Sequence, residues 1–352
     1  MKKVICILLV AVFAFAALTA CSKSETKKIY LYNWSDYMSQ EVLDLFKEEY
    51  GIEVVVTTFE SNDEMFAKLV AGGNSGYDIA VPTNFYIEAM LSADLIEELD
   101  KDAMTNLGNI DEAYRNMSYD PEGKYTVPYM GTVCVWVADK EKLASLGVEI
   151  NSYEDLLNEN LKNQILMTDD SQGNISIALT ACGLSETDVT TENVGKAKEW
   201  LLKLNPNVKA YDIAPNVRDS MLRGESAVAY MYGGNAVQAM LENKNLEVVL
   251  EDKPCSLSVD TFVILKGTQH KEESELFLNF LLRPEISAML TKDFPYVSFN
   301  KAAVEKMDKE LAENPLIVLS ETMKKNLYLI LSFNADIITA EVDAMTEVKN
   351  AR

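Results

Sequence analysis

The stretch IYLYNWSDYMSQEVLDLF at residues 29–46 predicts a β-strand that runs directly into an α-helix. Residues 29–32 form an apolar segment with the length of a short buried strand, and from residue 40 onward apolar side chains recur at helical spacing. The turn at residues 34–37 carries two large aromatic rings, a hydroxyl and a carboxylate, where such turns usually have Gly, Asn or Ser. This turn is therefore a candidate for ligand contact.

The alternation of strands and helices continues along the chain. A helix opened by the capping pair Ser61 and Glu64 is expected after the strand at 52–59. A polar stretch rich in Pro and Gly interrupts the alternation, which restarts with VCVWVAD at 133–139. Other strands are predicted at 77–82, 164–170, 207–212, 226–232 and 256–265, a turn at 233–235, and helices from residue 174 and at 194–204, 302–310 and 334–348.

This order of elements predicts an α/β fold. Continuous apolar strands that alternate with helices are typical of mostly parallel sheets covered on both faces. We expect two α/β lobes, with the boundary near residues 131–133.

The first 28 residues have the pattern of an export signal. Lys2 and Lys3 precede an apolar run that is short for a spanning helix and ends in Leu-Thr-Ala-Cys at Cys21. This ending resembles the lipobox of bacterial lipoproteins, in which the cysteine is acylated. We expect a signal peptide at 1–20 and a lipidated tether at 21–28, with the chain on the outer face of the cytoplasmic membrane or in the periplasm. A single membrane anchor helix is the alternative.

Length and charge limit the classes of function. The chain has 352 residues and a formal charge of −23, and removal of residues 1–20 leaves 332 residues with a charge of −25. That length suits two domains. A field of this sign repels nucleic acid and anionic headgroups and attracts cations. We therefore expect no nucleic-acid partner.

Cysteine and histidine usage excludes several kinds of site. Cys134, Cys182 and Cys255 remain after the signal region, an odd number without CxxC spacing, so no metal site is expected and the pairing of two of them stays open. The only histidine is His270, in a polar turn. Mechanisms that need a histidine base are therefore excluded, and with them serine-hydrolase triads.

The carboxyl ends of the predicted strands share one chemistry. In open α/β sheets, ligands bind beyond these ends. They supply aromatic rings, hydroxyls and carboxylates but no Arg or Lys, which a phosphate or carboxylate ligand would require. The sequence therefore predicts a site for a cation, built from NWSDY (33–37), PTNFY (82–86), TDDSQGN (168–174), YMYGGN (230–235) and SVD (258–260).

Each of these residues also has a purely structural interpretation. Asp36 could favour the N-terminus of the helix that follows it, and Asp169 or Asp170 could cap the next helix along. Trp34 could be a core aromatic, and Tyr232 could fill the space between the lobes. The argument for a site is that all five strand ends share one chemistry.

Several segments resemble the polyamine-binding proteins of bacterial ABC importers, the spermidine/putrescine family. The resemblance covers essentially the whole mature chain. It is carried by YNWSDY (32–37), PYMGT (128–132), LMTDD (166–170), GESAVAYMYGGNA (224–236) and FLNFLLRPE (277–285).

This resemblance implies a two-lobed type II periplasmic binding protein, with each lobe a mixed, mostly parallel sheet flanked by helices and the ligand in the cleft. It implies a monomer without a cofactor that delivers a polyamine to an importer's permease and ATPase complex. The implied lobes are 29–132 plus 262–308, and 133–261 plus 309–352.

Position by position, the resemblance also implies the ligand-binding residues. Aromatic rings would flank the aliphatic chain, and carboxylates would pair with the amine nitrogens. The set is Trp34, Ser35, Asp36, Tyr37, Thr83, Phe85, Asp170, Tyr232, Asn235, Asp260 and Phe294.

The chain departs from the family pattern at five positions. Gly173 lies where spermidine binders have Glu, Ser258 where they have Trp, and Leu329 where a Gln is expected. Phe294 replaces a Tyr, and Asn235 replaces an Asp of putrescine binders. The resemblance therefore leaves the choice between putrescine and spermidine open.

Two other functions are compatible with the broad fold. Thiamine-degrading transferases use a cleft cysteine as nucleophile, but the apolar neighbours of Cys134 indicate a buried core position rather than an activated thiolate. Another organic cation, such as thiamine or a betaine, could bind instead. Quaternary ammonium sites are aromatic cages with few acids, whereas Asp36, Asp170 and Asp260 are candidate acids here. We therefore expect neither catalytic nor metal-binding residues.

Overall fold

The computed structural model describes residues 26–35, 37–72, 76–187, 189–330 and 335–351. The predicted signal peptide, Cys21 and Asp36 lie outside these ranges. Among the helices that are described, none combines the length and the hydrophobicity required to cross a membrane.

The described residues form an alternation of strands and helices. The strands are β1 (Lys27–Trp34), β2 (Ile52–Phe59), β3 (Ile79–Ala80), β4 (Ile96–Glu97), β5 (Thr126–Asp139), β6 (Ile165–Thr168), β7 (Val208–Asp212), β8 (Val228–Tyr232), β9 (Leu246–Val249), β10 (Cys255–Leu265), β11 (Val297–Ser298) and β12 (Leu327–Leu329). The helices are α1 (Gln40–Tyr50), α2 (Asn62–Gly72), α3 (Ile87–Ser92), α4 (Lys140–Leu146), α5 (Ser171–Ala181), α6 (Thr191–Leu204), α7 (Ala214–Leu222), α8 (Gly233–Glu242), α9 (Lys271–Leu281), α10 (Pro284–Asp293), α11 (Lys309–Ala312), α12 (Glu321–Asn326) and α13 (Ala335–Asn350).

The sheet has two parallel blocks joined by two central strands. Its order is β2-β1-β3-β10-β5-β8-β6-β7. β1 is parallel to β2 and β3, and β6 is parallel to β7 and β8, whereas β10 and β5 are antiparallel to each other and to their outer neighbours. Parallel neighbours require helical crossovers, so each block is covered by helices and forms one α/β lobe. The expected α/β class is confirmed.

The central strand β5 is longer than the sequence predicts. It begins at Thr126 rather than 133 because Pro128 lies beside a register shift between Asp260 and Thr261 of β10, where a missing N–H is tolerated. Gly131 is needed in the same strand, since a Cβ there would lie 2.5 Å from the Phe299 ring. The Pro- and Gly-rich stretch is therefore part of the sheet and not a break in it.

Segments from late in the chain complete both lobes. In the first lobe, the ring centroids of Phe277 and Phe280 on α9 lie 4.9 and 5.3 Å from that of Phe46 on α1. In the second, α13 packs on α5 and α6, where Met345 and Val348 are fully buried. The C-terminal helix is therefore a wall of the second lobe.

Two local predictions are wrong. The helix predicted at 302–310 is instead a 3-10 turn at Val304–Lys306 followed by α11, because Met307 and Asp308 have extended backbone. The turn predicted from Gly233 is the first turn of α8.

Candidate ligand-binding cleft

A cleft of about 750 Å³ separates the two lobes. Its lobe 1 wall presents the rings of Trp34, Phe66, Phe85 and Tyr86 with the acids Glu60 and Asp63, and its lobe 2 wall presents Asp170, Ile338, Glu341 and Val342. Among the described residues that line it, none is Lys, Arg or His. The cleft is therefore both aromatic and acidic, the combination that a cation with a hydrocarbon chain requires.

Trp34 and Phe85 lie on the lobe 1 wall because each follows a strand of the same sheet. Trp34 ends β1, and its indole N–H donates to the Val81 carbonyl at 3.0 Å, which fixes the ring against Phe59 with centroids 4.6 Å apart. Phe85 lies in a 3-10 turn that follows β3, half-buried beside Tyr86. Both predicted residues thus line the cleft.

Ser35 has a different partner from the one expected. Its hydroxyl is exposed and donates to Glu60 Oε1 at 2.7 Å. Glu60 lines the cleft whereas Ser35 does not. The serine therefore orients a carboxylate on the cleft wall.

Asp260 is held by two hydroxyls of lobe 1. Tyr37 Oη donates to its Oδ2 at 2.8 Å and Thr83 Oγ1 to its Oδ1 at 2.7 Å. Burial raises the pKa of Asp260 to about 6, and the hydrogen bonds from Thr83 and Tyr37 oppose this rise. No Lys, Arg or His of the described residues forms an ion pair with Asp260, and Asp260 is not among the residues that line the 750 Å³ cleft.

Rings pack around Tyr37 and fix its hydroxyl. Its ring centroid lies 5.4 Å from that of Tyr129 and 5.3 Å from that of Tyr296, and the Tyr129 hydroxyl donates to the Tyr37 carbonyl at 2.6 Å. Burial, followed by the charge of Asp260, raises the pKa of Tyr37 well above its ordinary value, so the phenol stays a donor. Phe294, 6.2 Å from Tyr37, lines a smaller cavity behind it and supports that ring.

Asp170 both caps a helix and faces the cleft. Its Oδ1 accepts the Gly173 N–H at the start of α5, at 3.1 Å, and its Oδ2 accepts the Tyr232 hydroxyl at 3.0 Å. A Cβ at position 173 would lie 2.6 Å from Asp170 Oδ2. The glycine that departs from the spermidine-binder pattern is therefore what permits this orientation of the carboxylate.

One further predicted site residue, Asn235, and two positions that differ from the family pattern, Ser258 and Leu329, lie in regular secondary structure. Asn235 is half-buried in the first turn of α8. Ser258 pairs with Thr132 across β10 and β5, and Leu329 pairs with Leu257 across β12 and β10.

Glu341 is a cleft residue that the sequence analysis missed. It lies on α13, lines the cleft and is only 5% exposed. Burial, together with the charge of Asp170, raises the pKa of Glu341 to about 7. The available signal was its position on the apolar stripe of the helix, three residues after Ile338 and four before Met345.

The cysteines show none of the features of a nucleophile. Burial raises the pKa of the Cys134 thiol well above its ordinary value, and Cys255 Sγ donates to the Cys134 carbonyl at 3.3 Å. Cys134, Cys182 and Cys255 are all free thiols. In the described ranges no three His, Cys, Asp or Glu residues are grouped as metal ligands. A thiolate mechanism at Cys134 is not favoured.

The sequence matches known proteins along most of its length. Residues 41–318 match the family described as bacterial extracellular solute-binding proteins. This chain belongs to that family. The solute-binding protein is 31% identical over 300 residues to the spermidine/putrescine-binding periplasmic protein of Salmonella typhimurium, with 84% of each chain covered. It is 28% identical to the putrescine-binding periplasmic protein PotF of Escherichia coli, with 94% of this chain and 93% of the relative covered.

A comparison with solved structures gives the same family of relatives. The structure of the spermidine/putrescine ABC transporter substrate-binding protein PotD from Streptococcus pneumoniae matches with a TM-score of 0.83 at 27% identity, covering 92% of this chain and 99% of that one. The expected two-lobed type II periplasmic binding fold is confirmed. These relatives are described as binding proteins rather than enzymes, which leaves the thiamine-degrading alternative without support.

Proposed function

We propose that this protein captures a polyamine, putrescine or spermidine, in its interlobe cleft and delivers it to the permease and ATPase complex of an ABC importer. The observation that carries the proposal is the cleft itself, which combines four aromatic rings and four carboxylates without one basic side chain among its described lining residues. The relatives named for spermidine and putrescine binding support the same ligand class.

Each part of a polyamine, the methylenes and the ammonium groups, has a matching kind of side chain in this cleft. Its methylenes pack on ring faces, and each ammonium that lies over a ring gains about 0.5–2 kcal/mol. An ammonium buried without a carboxylate costs several kcal/mol, so acids fixed by the fold select where the nitrogens lie. Asp260, held by the lobe 1 hydroxyls of Tyr37 and Thr83, and Asp170, held by the Tyr232 hydroxyl in lobe 2, provide two such positions.

The remaining sequence expectations belong to the same proposal. Cys21 is the lipid attachment site, and it anchors the monomeric protein on the outer face of the cytoplasmic membrane or in the periplasm. The lobes are 29–132 plus 262–308 and 133–261 plus 309–352. Asp36, between Trp34 and Tyr37, is a further acid beside an amine end.

A thermal-shift panel tests the function. Putrescine, cadaverine, spermidine and spermine are compared with thiamine and betaine, and glutarate serves as an anionic control. A ligand that binds only the folded state raises the melting temperature with the logarithm of its concentration over Kd. We expect stabilisation by at least one polyamine and none by glutarate. Stabilisation by thiamine or betaine alone would contradict the proposal.

Putrescine is expected to bind at least as tightly as spermidine. Asp260 and Asp170 serve two ammonium groups, whereas the Glu, Trp and Gln of spermidine binders are replaced by Gly173, Ser258 and Leu329. A third buried nitrogen therefore has fewer partners. Competition against labelled putrescine measures this preference. Displacement by spermidine at a tenfold lower concentration than unlabelled putrescine would refute it.

Affinity is expected to fall in mild acid. The pKa of Asp260 is about 6 in the folded protein, so its carboxylate is protonated in a growing fraction below that pH and no longer pairs with an ammonium. Calorimetry with putrescine should show a Kd at least about tenfold higher at pH 5 than at pH 7.5, which is the effect expected from Asp260 alone. Equal Kd values at the two pH values would show that Asp260 is not a ligand contact.

A further inference from the structure

We propose that Glu341 is a ligand-binding carboxylate, and that with Asp170 it forms a two-acid site for one ammonium group of the ligand on the lobe 2 wall. This inference rests on the proposed function and adds to it a residue from the C-terminal helix, outside the strand ends that supply the other acids.

The first observation is that the Glu341 side chain is buried without a hydrogen-bond or ion-pair partner among the described residues. Glu341 is 95% removed from solvent, and within the described residues no hydrogen bond or ion pair reaches its carboxylate. Acids are almost never this buried unless they are paired. Its carboxylate lines the cleft, so the cleft is where a partner would come from.

The nearby cations are already engaged. Lys349, two turns further along α13, pairs with Asp169, and Lys198 of α6 pairs with Glu347 at 2.6 Å. The charged group that acts on Glu341 is Asp170, and Glu60 and Asp63 line the lobe 1 wall of the same cleft. Two uncompensated acids on one wall attract a cation.

The surroundings of Glu341 also suit a hydrocarbon. Ile338 and Val342, one turn before it and next to it, are 40% and 48% exposed at the cleft. Exposed apolar residues beside a buried acid fit an ammonium that ends a methylene chain. The rings of Phe66 and Phe85 line the same cleft.

Affinity measurements on matched variants test the inference. Glu341→Gln removes the charge with little change of shape, and Glu347→Gln removes a charge from the solvent-facing side of the same helix. We expect E341Q to weaken putrescine binding at least tenfold at pH 8 and E347Q to change it less than twofold. Binding by E341Q within threefold of the unsubstituted protein overturns the inference alone, whereas failure of the unsubstituted protein to bind any polyamine overturns the proposed function as well.

Proton release gives a readout that does not depend on the variant folding. With a pKa of about 7, half of the Glu341 carboxyls are protonated at pH 7 in the empty protein, and an arriving ammonium favours the ionised form. Calorimetry in buffers of different ionisation enthalpy should show about half a proton released per putrescine from Glu341, against about a tenth from Asp260. Release of no more than the Asp260 fraction overturns the inference.

Discussion

Replacement of Asp260 by Asn is expected to weaken putrescine binding at least about 30-fold at pH 7.5, because an ammonium buried beside Tyr37 and Thr83 would lose its carboxylate. The amide has nearly the same shape as the carboxylate. Its oxygen can accept from one of the two hydroxyls, and its NH₂ group can donate to the other. Isothermal calorimetry on the purified variant measures the loss. Wild-type affinity would show that Asp260 serves only as an acceptor for the hydroxyls of Tyr37 and Thr83.

The same variant is expected to be at least as stable as the unsubstituted protein when no ligand is present. The pKa of Asp260 is raised from its ordinary 3.8 to about 6, so folding disfavours its ionised form. Its contribution to stability is complete below pH 4 and is lost as the pH rises through 6. Asn does not ionise, so the variant does not lose this stability at neutral pH. Thermal melts at pH 7.5 should therefore show a Tm for the variant that is equal to or higher than that of the unsubstituted protein.

Asp94→Asn is the matched control for Asp260→Asn. Asp94 lies in lobe 1, which supplies the hydroxyls that hold Asp260. It is 75% exposed and paired with Lys266, and its φ of 57° is a conformation that Asn adopts readily. We expect its putrescine affinity to stay within twofold of wild type. A large loss in this control would point to the net charge of the protein rather than to a specific contact.

Replacement of Asp170 by Asn is expected to weaken putrescine binding at least about tenfold at pH 7.5 while α5 stays intact. Asn is as good an N-cap as Asp, so the bond from the Gly173 N–H can be kept. What the variant loses is the charge at the lobe 2 end of the cleft, where a buried ammonium needs it. Calorimetry measures the affinity and circular dichroism the helix.

The control for this variant is another acid that accepts backbone N–H groups in lobe 2. Asp155 accepts the N–H groups of Asn151 and Ser152 and lies outside the cleft lining. Asp155→Asn should leave putrescine affinity unchanged. If Asp170→Asn behaves in the same way, Asp170 is a helix cap and no more.

Segments with a regular pattern of apolar residues could be predicted from the sequence, because in the folded protein the apolar side chains of that pattern face the core. The apolar spacing of α1 and the β-branched residues of β2 gave bounds that the structure reproduces at 40–50 and 52–59. The segment at 77–82 is a strand only at Ile79–Ala80, because strand length depends on neighbours that the local sequence does not show.

The start of β5 was not predictable for a similar reason. Pro128 and Gly131 are typical of loops, and they are tolerated in this strand by a register shift opposite one and the Phe299 ring against the other. Both partners lie more than 100 residues away in the chain. Only the folded sheet brings them together.

The sequence by itself determined the α/β alternation and placed aromatic and acidic residues at strand ends, of which Trp34, Phe85 and Asp170 line the cleft. The tertiary structure decided the surroundings of the individual acids. Asp260 depends on hydroxyls from Tyr37 and Thr83, and Glu341 on burial beside Asp170, and the chain separates these partners by more than 170 residues. Protonation and orientation of a carboxylate follow from its dielectric surroundings and hydrogen bonds, and those exist only once the chain has folded.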